Sequence, residues 1–210
     1  MPGACAIVTF ARAPELGRVK TRLASELGAP AALAAYHELG RVCWQAVLAA
    51  RSAPGYRTLV AFTPAPAEQA MRDWLPGADA YLAQPEGDLG RRMLAAIAAA
   101  LGGGAQRVVL IGTDCPMLSP QLIAEALAAL DDVDVVIGPA TDGGYYLVGM
   151  SRAHAALFAD VPWSSHLTLS ITLERAATAG LRVAQLAPLS DVDTADDWRA
   201  WRHAVAERSR

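Results

Sequence analysis

Four positively charged side chains crowd a short segment near the start of the sequence. Arg12, Arg18, Lys20 and Arg22 fall within eleven residues, and only Glu15 opposes them. Several cations in one loop can neutralise a polyphosphate, and guanidinium groups bind phosphate oxygens in pairs. The glycine spacing of a P-loop is missing. The segment is therefore a candidate nucleotide or phosphate site of another kind, and the alternative is a solvated basic loop.

A single carboxylate, Asp114, follows an apolar run that begins at Val108. An acid at the end of such a run costs free energy unless a partner binds it. A hard divalent cation, Mg²⁺ or Mn²⁺, bridging Asp114 to phosphate oxygens would supply that partner. The alternative is that Asp114 caps the turn that follows. Cys115 has no histidine placed to activate it, so we expect it to pack as an inert side chain.

Two further acids, Asp191 and Asp193, stand one residue apart before the last predicted helix. Either one can supply a second metal ligand. Interaction with the positive end of the helix dipole is the other explanation for acids at such a position. That explanation accounts for Asp196 and Asp197 better than for the earlier pair. The sequence therefore predicts a metal site that joins Asp114 to this segment.

Two predicted strands are joined through Asp142, Gly143 and Gly144, directly before Tyr145. This composition is typical of a tight turn and needs no function to explain it. Paired glycines also remove side chains where a ligand approaches, and Tyr145 offers a ring face and a hydroxyl. Both interpretations stay open, and the second makes these four residues candidates for binding an acceptor.

Asp88 is a further candidate because it directly precedes a predicted helix that carries Arg91 and Arg92 in its first turns. A cap of that helix is the default interpretation. The alternative adds Asp88 to the residues that bind the acceptor.

The elements that position these residues alternate along the chain. Short apolar runs predict strands, and apolar residues at helical spacing predict helices. The strands cover 4–10, 57–63, 80–83, 107–112, 133–138, 145–149 and 182–186, and the helices cover 30–51, 67–74, 89–101, 119–130 and a segment from Thr194 onward. Such alternation predicts a mostly parallel sheet with helices on both faces. In open sheets of this kind, ligands bind beyond the carboxyl ends of the strands.

Two segments are less regular than the rest. Gly40 interrupts the helix over 30–51 and is expected to be its weak point. The run from His166 to Leu173 alternates with period two, as a strand does. The stop at Gly180 favours a helix, which is the prediction.

Composition and charge limit the class of protein. With 53% hydrophobic and 19% charged residues, the 210-residue chain fits one folded domain over 1–210. A formal net charge of −3 provides no positive field for nucleic acid and argues against it as a partner. No apolar run approaches the roughly 18 residues of a membrane helix, and no basic signal segment begins the chain. Because three cysteines give no disulfide framework, we expect a cytoplasmic protein without a membrane partner.

Six motifs in chain order resemble those of an uncharacterised bacterial family with a glycosyltransferase-A-like (GT-A-like) fold. The family is related to 2-phospholactate guanylyltransferases and other nucleotidyltransferases, and its members are often labelled glycosyltransferases. The resemblance covers nearly the whole chain. Its motifs are 10–23 with Gly-Arg-Val-Lys-Thr-Arg-Leu, 84–93 with Asp-Leu-Gly, 111–118, 138–149, Trp163-Ser164, and 191–194 with Asp-Val-Asp-Thr.

This resemblance implies a fold and a set of roles. The fold is a single-domain, Rossmann-like α/β nucleotide-diphospho-sugar transferase domain with a mostly parallel sheet. In the related nucleotidyltransferases the basic loop binds the triphosphate, which makes Lys20 and Arg22 phosphate ligands here. Acids matching Asp114 and Asp193 hold magnesium in those enzymes. The resemblance thus implies that Lys20 and Asp114 are catalytic and that Asp114 and Asp193 are metal ligands.

Two functions remain in competition at this point. The leading hypothesis is a metal-dependent transferase that moves a group from a nucleoside triphosphate or a nucleotide sugar to a small-molecule acceptor. The sequence departs from the sugar-transferring pattern, since Asp114 stands alone where such members show Asp-x-Asp. That lone acid, and the lack of a clear general base, motivate the alternative of a nucleotide-binding module without turnover.

Overall fold

A seven-stranded sheet organises residues 4–51 and 55–208, the part of the chain that the computed structural model describes. Its strands are β1 (Cys5–Arg12), β2 (Tyr56–Thr63), β3 (Ala80–Ala83), β4 (Arg107–Ile111), β5 (Val135–Pro139), β6 (Tyr145–Met150) and β7 (Val183–Gln185). Their order across the sheet is β3-β2-β1-β4-β6-β5-β7. Strand β6 runs antiparallel to both of its neighbours, and the other pairs are parallel. The predicted mostly parallel sheet is confirmed.

Seven α-helices accompany the sheet within these described ranges. They are α1 (Thr21–Leu27), α2 (Ala29–Ala50), α3 (Glu68–Trp74), α4 (Leu89–Gly102), α5 (Pro120–Ala129), α6 (Thr168–Thr178) and α7 (Ala195–Arg208). Short 3-10 turns at Ala65–Ala67 and Ala155–Phe158 complete the order. None of the described helices combines the length and apolar character that crossing a membrane requires.

Helices cover both faces of the sheet because successive residues of a strand point to opposite sides. On β1, Ile7 packs into one core with Trp44 of α2, whereas Val8 packs into a second core with Ile97 of α4. All four side chains are buried. Burial of each such side chain stabilises the fold by about 1.5–3 kcal/mol. The prediction of helices on both faces is confirmed.

Gly40 is a packing residue and does not weaken helix α2, which corrects the expectation drawn from the sequence. The helix runs without interruption from Ala29 to Ala50. A Cβ added at Gly40 would lie 2.2 Å from the Trp74 ring. The missing side chain therefore lets Trp74 of α3 lie directly against the backbone of α2, and this contact offsets the low helix propensity of glycine.

The run with strand-like alternation forms helix α6, as predicted. Thr168, Thr172 and Ala176 are buried at a spacing of four residues, so they form one face of a helix. Gly180 follows the helix with φ of +67°, a conformation that glycine adopts without strain.

Four loops leave the sheet at one edge. Strands β1 and β4 are parallel neighbours, so the segments that follow them emerge side by side. Because the antiparallel β6 lies between β4 and β5, those two strands point the same way and the β5–β6 loop joins the same edge. Strand β7 is parallel to β5 and adds the segment that follows it. The edge thus collects 13–20, 112–119, 140–144 and 186–194.

Candidate active site at the carboxyl edge of the sheet

The loop after β1 turns the Lys20 side chain into the protein. Lys20 has φ of 46° and ψ of 50°, a left-handed conformation that is uncommon outside glycine. Val19 beside it is buried and anchors the loop. Only 4% of the Lys20 side chain is exposed. The loop therefore holds its lysine inside the molecule, while Arg18 remains exposed.

The Lys20 ammonium lies between two carboxylates that come from distant segments. Its Nζ is 2.5 Å from Oδ1 of Asp114, which follows β4, and 2.6 Å from Oδ1 of Asp193, which precedes α7. Arg22 reaches Oδ2 of Asp193 at 3.8 Å with a side chain that is 71% exposed. The structure thus brings together both predicted metal ligands and two of the predicted phosphate ligands.

Two opposing effects act on the Lys20 ammonium. Burial lowers the pKa of Lys20, but the negative charges of Asp114 and Asp193 raise it by more, so the net pKa lies above the usual range. The ammonium is therefore protonated at every physiological pH. Asp114 Oδ1 is buried and accepts no hydrogen bond of normal geometry, although the ammonium is in contact with it. One lysine thus neutralises part of a pair of acids.

Main-chain contacts fix the two acids beside each other. The amide of Val192 donates to the carbonyl oxygen of Asp114 at 3.0 Å. Asp197 then secures the segment, because its Oδ2 accepts from the Thr194 hydroxyl at 2.7 Å and from the Asp193 amide at 3.2 Å. This capping box is typical of a helix start, and here it also orients Asp193.

A cavity of about 290 Å³ opens above this ion pair. Its lining includes all four predicted phosphate-binding cations and both predicted metal ligands, namely Arg12, Arg18, Lys20, Arg22, Asp114 and Asp193. We call it the phosphate cavity. The loop after β1, the turn after β4 and the segment before α7 all contribute to it, as expected for the carboxyl edge of an open sheet.

A second cavity, of about 210 Å³, adjoins the first and shares Arg12, Tyr36 and Asp114 with it. Tyr36 of α2 donates a hydrogen bond to the carbonyl oxygen of Arg12 at 2.9 Å and accepts one from the Arg12 amide at 3.3 Å. Burial raises the pKa of Tyr36 to about 12. The tyrosine therefore fixes the end of β1 as a neutral hydroxyl.

Gln84 and Arg92 also line this second cavity, and the sequence did not predict their association. The Gln84 amide donates to the carbonyl oxygens of Ala61 at 2.9 Å and Ala11 at 3.3 Å, and its Oε1 accepts from Arg92 Nη1 at 3.2 Å. Gln84 thus orients a fifth cation toward the site. The sequence offered the arginine pair at the start of α4 and the motif over 84–93, and neither indicated this contact.

Asp88 acts as the cap of α4. Its Oδ1 accepts a hydrogen bond from the Arg91 amide at 2.7 Å, which satisfies a free amide of the first turn. Asp88 is exposed and is absent from the lining of the cavities beside Asp114. Its capping position is established, whereas a role in binding an acceptor stays a prediction.

A third cavity, of about 270 Å³, lies on the other side of Asp114, and we call it the acceptor cavity because three of the predicted acceptor-binding residues, Asp142, Gly144 and Tyr145, line it. Its polar side chains are Asp114, Asp142, Tyr145, Ser164, Ser165, Thr168 and Asp191. Trp163 and Leu89 add apolar walls. Among the described residues that line it, there is no lysine, arginine or histidine.

The β5–β6 loop that borders the acceptor cavity is a tight turn. Asp142 Oδ1 accepts from the Gly144 amide at 2.8 Å, so the turn interpretation is correct. Gly143 has φ of +91°, and a Cβ there would lie 2.3 Å from the carbonyl oxygen of His166. Gly144 and Tyr145 line the cavity, whereas Gly143 packs against the start of α6. The tight turn therefore also forms part of the wall of the acceptor cavity.

Asp191 and Asp193 have different surroundings. It lines the acceptor cavity and accepts a hydrogen bond from the thiol of Cys115. Burial, more than any neighbouring charge, raises the pKa of Asp191 to about 6. Burial also raises the pKa of the Cys115 thiol far above its usual value, which is the opposite of what a nucleophile needs. The geometry pairs Asp193, and not Asp191, with Asp114.

The carboxylate pair fits one kind of metal site. No group of three or more histidine, cysteine or acidic side chains suited to a metal occurs among the described residues. Magnesium, however, usually binds proteins through one or two carboxylates and completes its shell with substrate phosphates and water. Asp114 and Asp193 already share one cation, the Lys20 ammonium, and their carboxylate oxygens are the hard ligands that such an ion prefers. The residues therefore fit a divalent ion that arrives with a phosphate.

A family model that matches more than half of the chain shows the family of this protein. Residues 46–165 match the family model described as "Uncharacterized protein conserved in bacteria (DUF2064)". The chain is a DUF2064 protein. The match covers Asp114, the β5–β6 loop and Trp163, but neither the basic loop nor Asp193. None of the curated proteins matches the chain.

Solved structures confirm the fold of this DUF2064 protein. A protein classed as a nucleotide-diphospho-sugar transferase, from Desulfovibrio desulfuricans G20, is 34% identical with a TM-score of 0.81, over 90% of this chain and 82% of its own. CMP:2-keto-3-deoxy-manno-octonic acid synthetase, complexed with CTP, is 17% identical with a TM-score of 0.62, over 98% and 99%. Rv0371c from Mycobacterium tuberculosis H37Rv, complexed with manganese, is 18% identical with a TM-score of 0.54, over 94% and 97%.

These comparisons confirm three predictions made for the DUF2064 chain. The family resemblance, the α/β nucleotide-diphospho-sugar transferase fold and the enzyme class, a transferase, are all correct. The two relatives below 25% identity support the fold alone.

Proposed function

We propose that this protein is a metal-dependent nucleotidyltransferase that moves a nucleotidyl group from a nucleoside triphosphate to a small-molecule acceptor. The observation that carries the proposal is the phosphate cavity, whose lining combines four cations of the segment 12–22 with a pair of carboxylates. Four positive charges match the charge of a triphosphate, and the pair of acids matches the need of a magnesium ion.

Each side chain of the phosphate cavity has a role in this proposal. Arg12, Arg18 and Arg22 bind phosphate oxygens, and Lys20 adds a compact charge. Asp114 and Asp193 hold Mg²⁺ or Mn²⁺. A divalent ion bound there would stabilise the charge that develops on the phosphate oxygens and the leaving group.

The acceptor binds on the other side of Asp114. The acceptor cavity and the phosphate cavity both include Asp114, so their contents are neighbours. Asp142 and Tyr145 contact the acceptor in this proposal, and the hydroxyls of Ser164 and Ser165 offer further hydrogen bonds. Asp191, which also lines the cavity, accepts a hydrogen bond from an acceptor hydroxyl in this proposal and so orients it.

Two relatives support the choice of donor and ion. The synthetase of similar fold was solved with CTP and Rv0371c with manganese. Both share only the fold with this chain, at low identity, so their ligands guide the choice while the geometry of Arg12, Lys20 and Asp114 carries the argument.

Glycosyl transfer from a nucleotide sugar is the second candidate. It is favoured by the class given to the relative from Desulfovibrio desulfuricans G20, which shares 34% of its residues with this chain. The lone Asp114, in place of Asp-x-Asp, favours nucleotidyl transfer. The two reactions release different products, pyrophosphate in the first case and a nucleoside diphosphate in the second.

The first experiment measures the thermal shift of the protein with each nucleoside triphosphate and nucleotide sugar, with and without Mg²⁺. We expect a magnesium-dependent shift with a triphosphate in the wild type and none in Asp193→Asn. Asp196→Asn is the matched control, because Asp196 lies three residues away with a side chain that is 91% exposed. Product analysis with an acceptor panel then identifies the reaction. Binding without any product favours the module without turnover, and no shift with any nucleotide contradicts the proposal.

A further inference from the structure

The position between Asp114 and Asp193 is already taken by a cation of the protein itself. Lys20 Nζ lies 2.5 Å from Asp114 Oδ1 and 2.6 Å from Asp193 Oδ1, and only 4% of the Lys20 side chain is exposed. We infer that Lys20 is the resident counter-ion of this pair in the free protein, and that a divalent metal enters only together with nucleotide phosphates that draw Lys20 away. The inference rests on the proposed function.

The composition of the chain supports a special role for this ammonium. The sequence contains seventeen arginines and one lysine, which is Lys20. A guanidinium is planar and presents its charge over five donors, whereas an ammonium is a compact point charge with three. Only the compact group lets one atom contact two carboxylates, as a metal ion does. The single lysine therefore occurs where the geometry calls for an ammonium.

A metal ion and the Lys20 ammonium exclude each other. Both bind the same two oxygens, and a divalent ion beside a buried ammonium suffers repulsion that little solvent screens. Without another partner for Lys20, metal binding would also leave a buried positive charge unpaired, which is costly. The free protein therefore binds divalent ions weakly.

The phosphate cavity supplies the missing partner when a nucleotide is present. Its walls carry Arg12 and Arg18 as well as Lys20, so phosphate oxygens bound there lie within reach of the flexible lysine stem. A phosphate anion attracts the ammonium and offers the metal additional oxygen ligands at the same time. Nucleotide and metal then favour each other's binding, and the coupling is reciprocal. Arg22, which is 3.8 Å from Asp193 and largely exposed, stays in place.

Removing the ammonium should turn the pair of acids into an open metal site. The probe is Mn²⁺ alone, and the free ion is measured by electron paramagnetic resonance at fixed protein concentration. We expect Lys20→Met to bind Mn²⁺ at least tenfold more tightly than the wild type, and Asp114→Asn in the Lys20→Met background to lose the gain. Arg199→Met is the control and should match the wild type, because the Arg199 side chain is exposed on α7. Equal Mn²⁺ affinity of wild type and Lys20→Met overturns the inference.

A second measurement uses the wild type and needs no variant to fold. Because the chain has one lysine, labelling with side-chain ¹⁵N-lysine gives a single ammonium resonance in an NMR spectrum. Millimolar Mg²⁺ alone should leave it unchanged. Mg²⁺ with an equimolar mixture of ATP, CTP, GTP and UTP should move it. A shift with Mg²⁺ alone overturns the inference, whereas a resonance that no nucleotide moves contradicts the proposed function as well.

Discussion

Lys20 and Asp193 lie 173 residues apart in the chain, and their side chains meet at 2.6 Å. This contact joins the loop after the first strand to the segment before the last helix. Asp114 completes the group from the centre of the sheet. The site therefore depends on three segments that only the folded chain brings together.

Asp114→Asn should abolish magnesium-dependent nucleotide binding, because the amide keeps the shape but loses the charge that a metal needs. Without ligand, we expect the variant to lose about 1 kcal/mol of stability, since Lys20 keeps only one of its two carboxylates and Asp114 is 43% exposed. Without the contact to Lys20, relief of the repulsion between Asp114 and Asp193 would instead leave the stability unchanged or raise it. Melting temperatures with and without Mg²⁺ and nucleotide measure both effects, and Asp196→Asn is the control. A retained magnesium-dependent shift would rule out Asp114 as a metal ligand.

Arg18→Ala should weaken nucleotide binding by about 1.5–3 kcal/mol, the range for a hydrogen bond to a charged group. Arg18 lines the phosphate cavity, is exposed, and has no ion pair among the described residues. Its removal should therefore change the free energy of unfolding by less than about 0.5 kcal/mol. Isothermal titration measures the affinity, and Arg199→Ala tests for a general effect of charge. Equal affinities of the two variants would take Arg18 out of the site.

Relative to the wild type, Asp191→Asn should stabilise the free protein by more at pH 8 than at pH 4.5. The folded pKa of Asp191, about 6, exceeds its usual value of 3.8, so the folded state holds the proton more tightly. This stabilisation is complete below the unfolded pKa and is lost as pH rises through about 6. The asparagine variant lacks this loss, and the difference between the two pH values should be about 2 kcal/mol.

Urea unfolding in the presence of EDTA measures the Asp191 effect without any bound metal. Asp132→Asn, at an exposed position, is the control for the general effect of replacing a carboxylate with an amide. A difference for Asp191→Asn that does not change with pH would mean that the carboxylate is not buried in solution.

Gly143→Ala should destabilise the protein by about 2–4 kcal/mol, more than Gly180→Ala, for which about 1–2 kcal/mol is expected. Both glycines have positive φ, but a Cβ at Gly143 would lie 2.3 Å from the His166 backbone, whereas Gly180 has nothing within 4 Å. The comparison separates backbone strain from the clash. Urea unfolding measures the loss of stability in each variant. Equal losses would mean that the start of α6 moves to accommodate the added Cβ at Gly143.

The fold could be predicted because each element carries a local signal. The central strand β4 is apolar from Val108 to Ile111, and α5 begins at Pro120 directly after Ser119, whose hydroxyl accepts a hydrogen bond from the Leu122 amide. The rule that ligands bind at the carboxyl ends of parallel strands then grouped Arg12, Asp114 and Asp193 at one edge. That grouping matches the geometry, although the chemical roles of these residues stay predictions.

Other features had no local signal. Nothing in the residue types near Lys20 indicates a left-handed backbone, which is what turns its side chain inward. Gln84 orients Arg92 through carbonyl oxygens of β1 and β2, and the contact between Cys115 and Asp191 spans 76 residues. Such contacts depend on side-chain directions in the folded state. The packing role of Gly40 could not be predicted for the same reason, because it depends on contact with the Trp74 ring of another helix.

The contact between the loop after β1 and the segment before α7 also couples ligand binding at the site to local unfolding of α7. Leu23 of α1 packs against Ala195 at the start of α7, so fraying of the last helix would loosen the basic loop as well. Such partial openings have their own free energies, and a ligand that binds only the closed form makes them rarer. Occupancy of the phosphate cavity should therefore be visible as slower amide hydrogen exchange along α7, none of whose residues line that cavity.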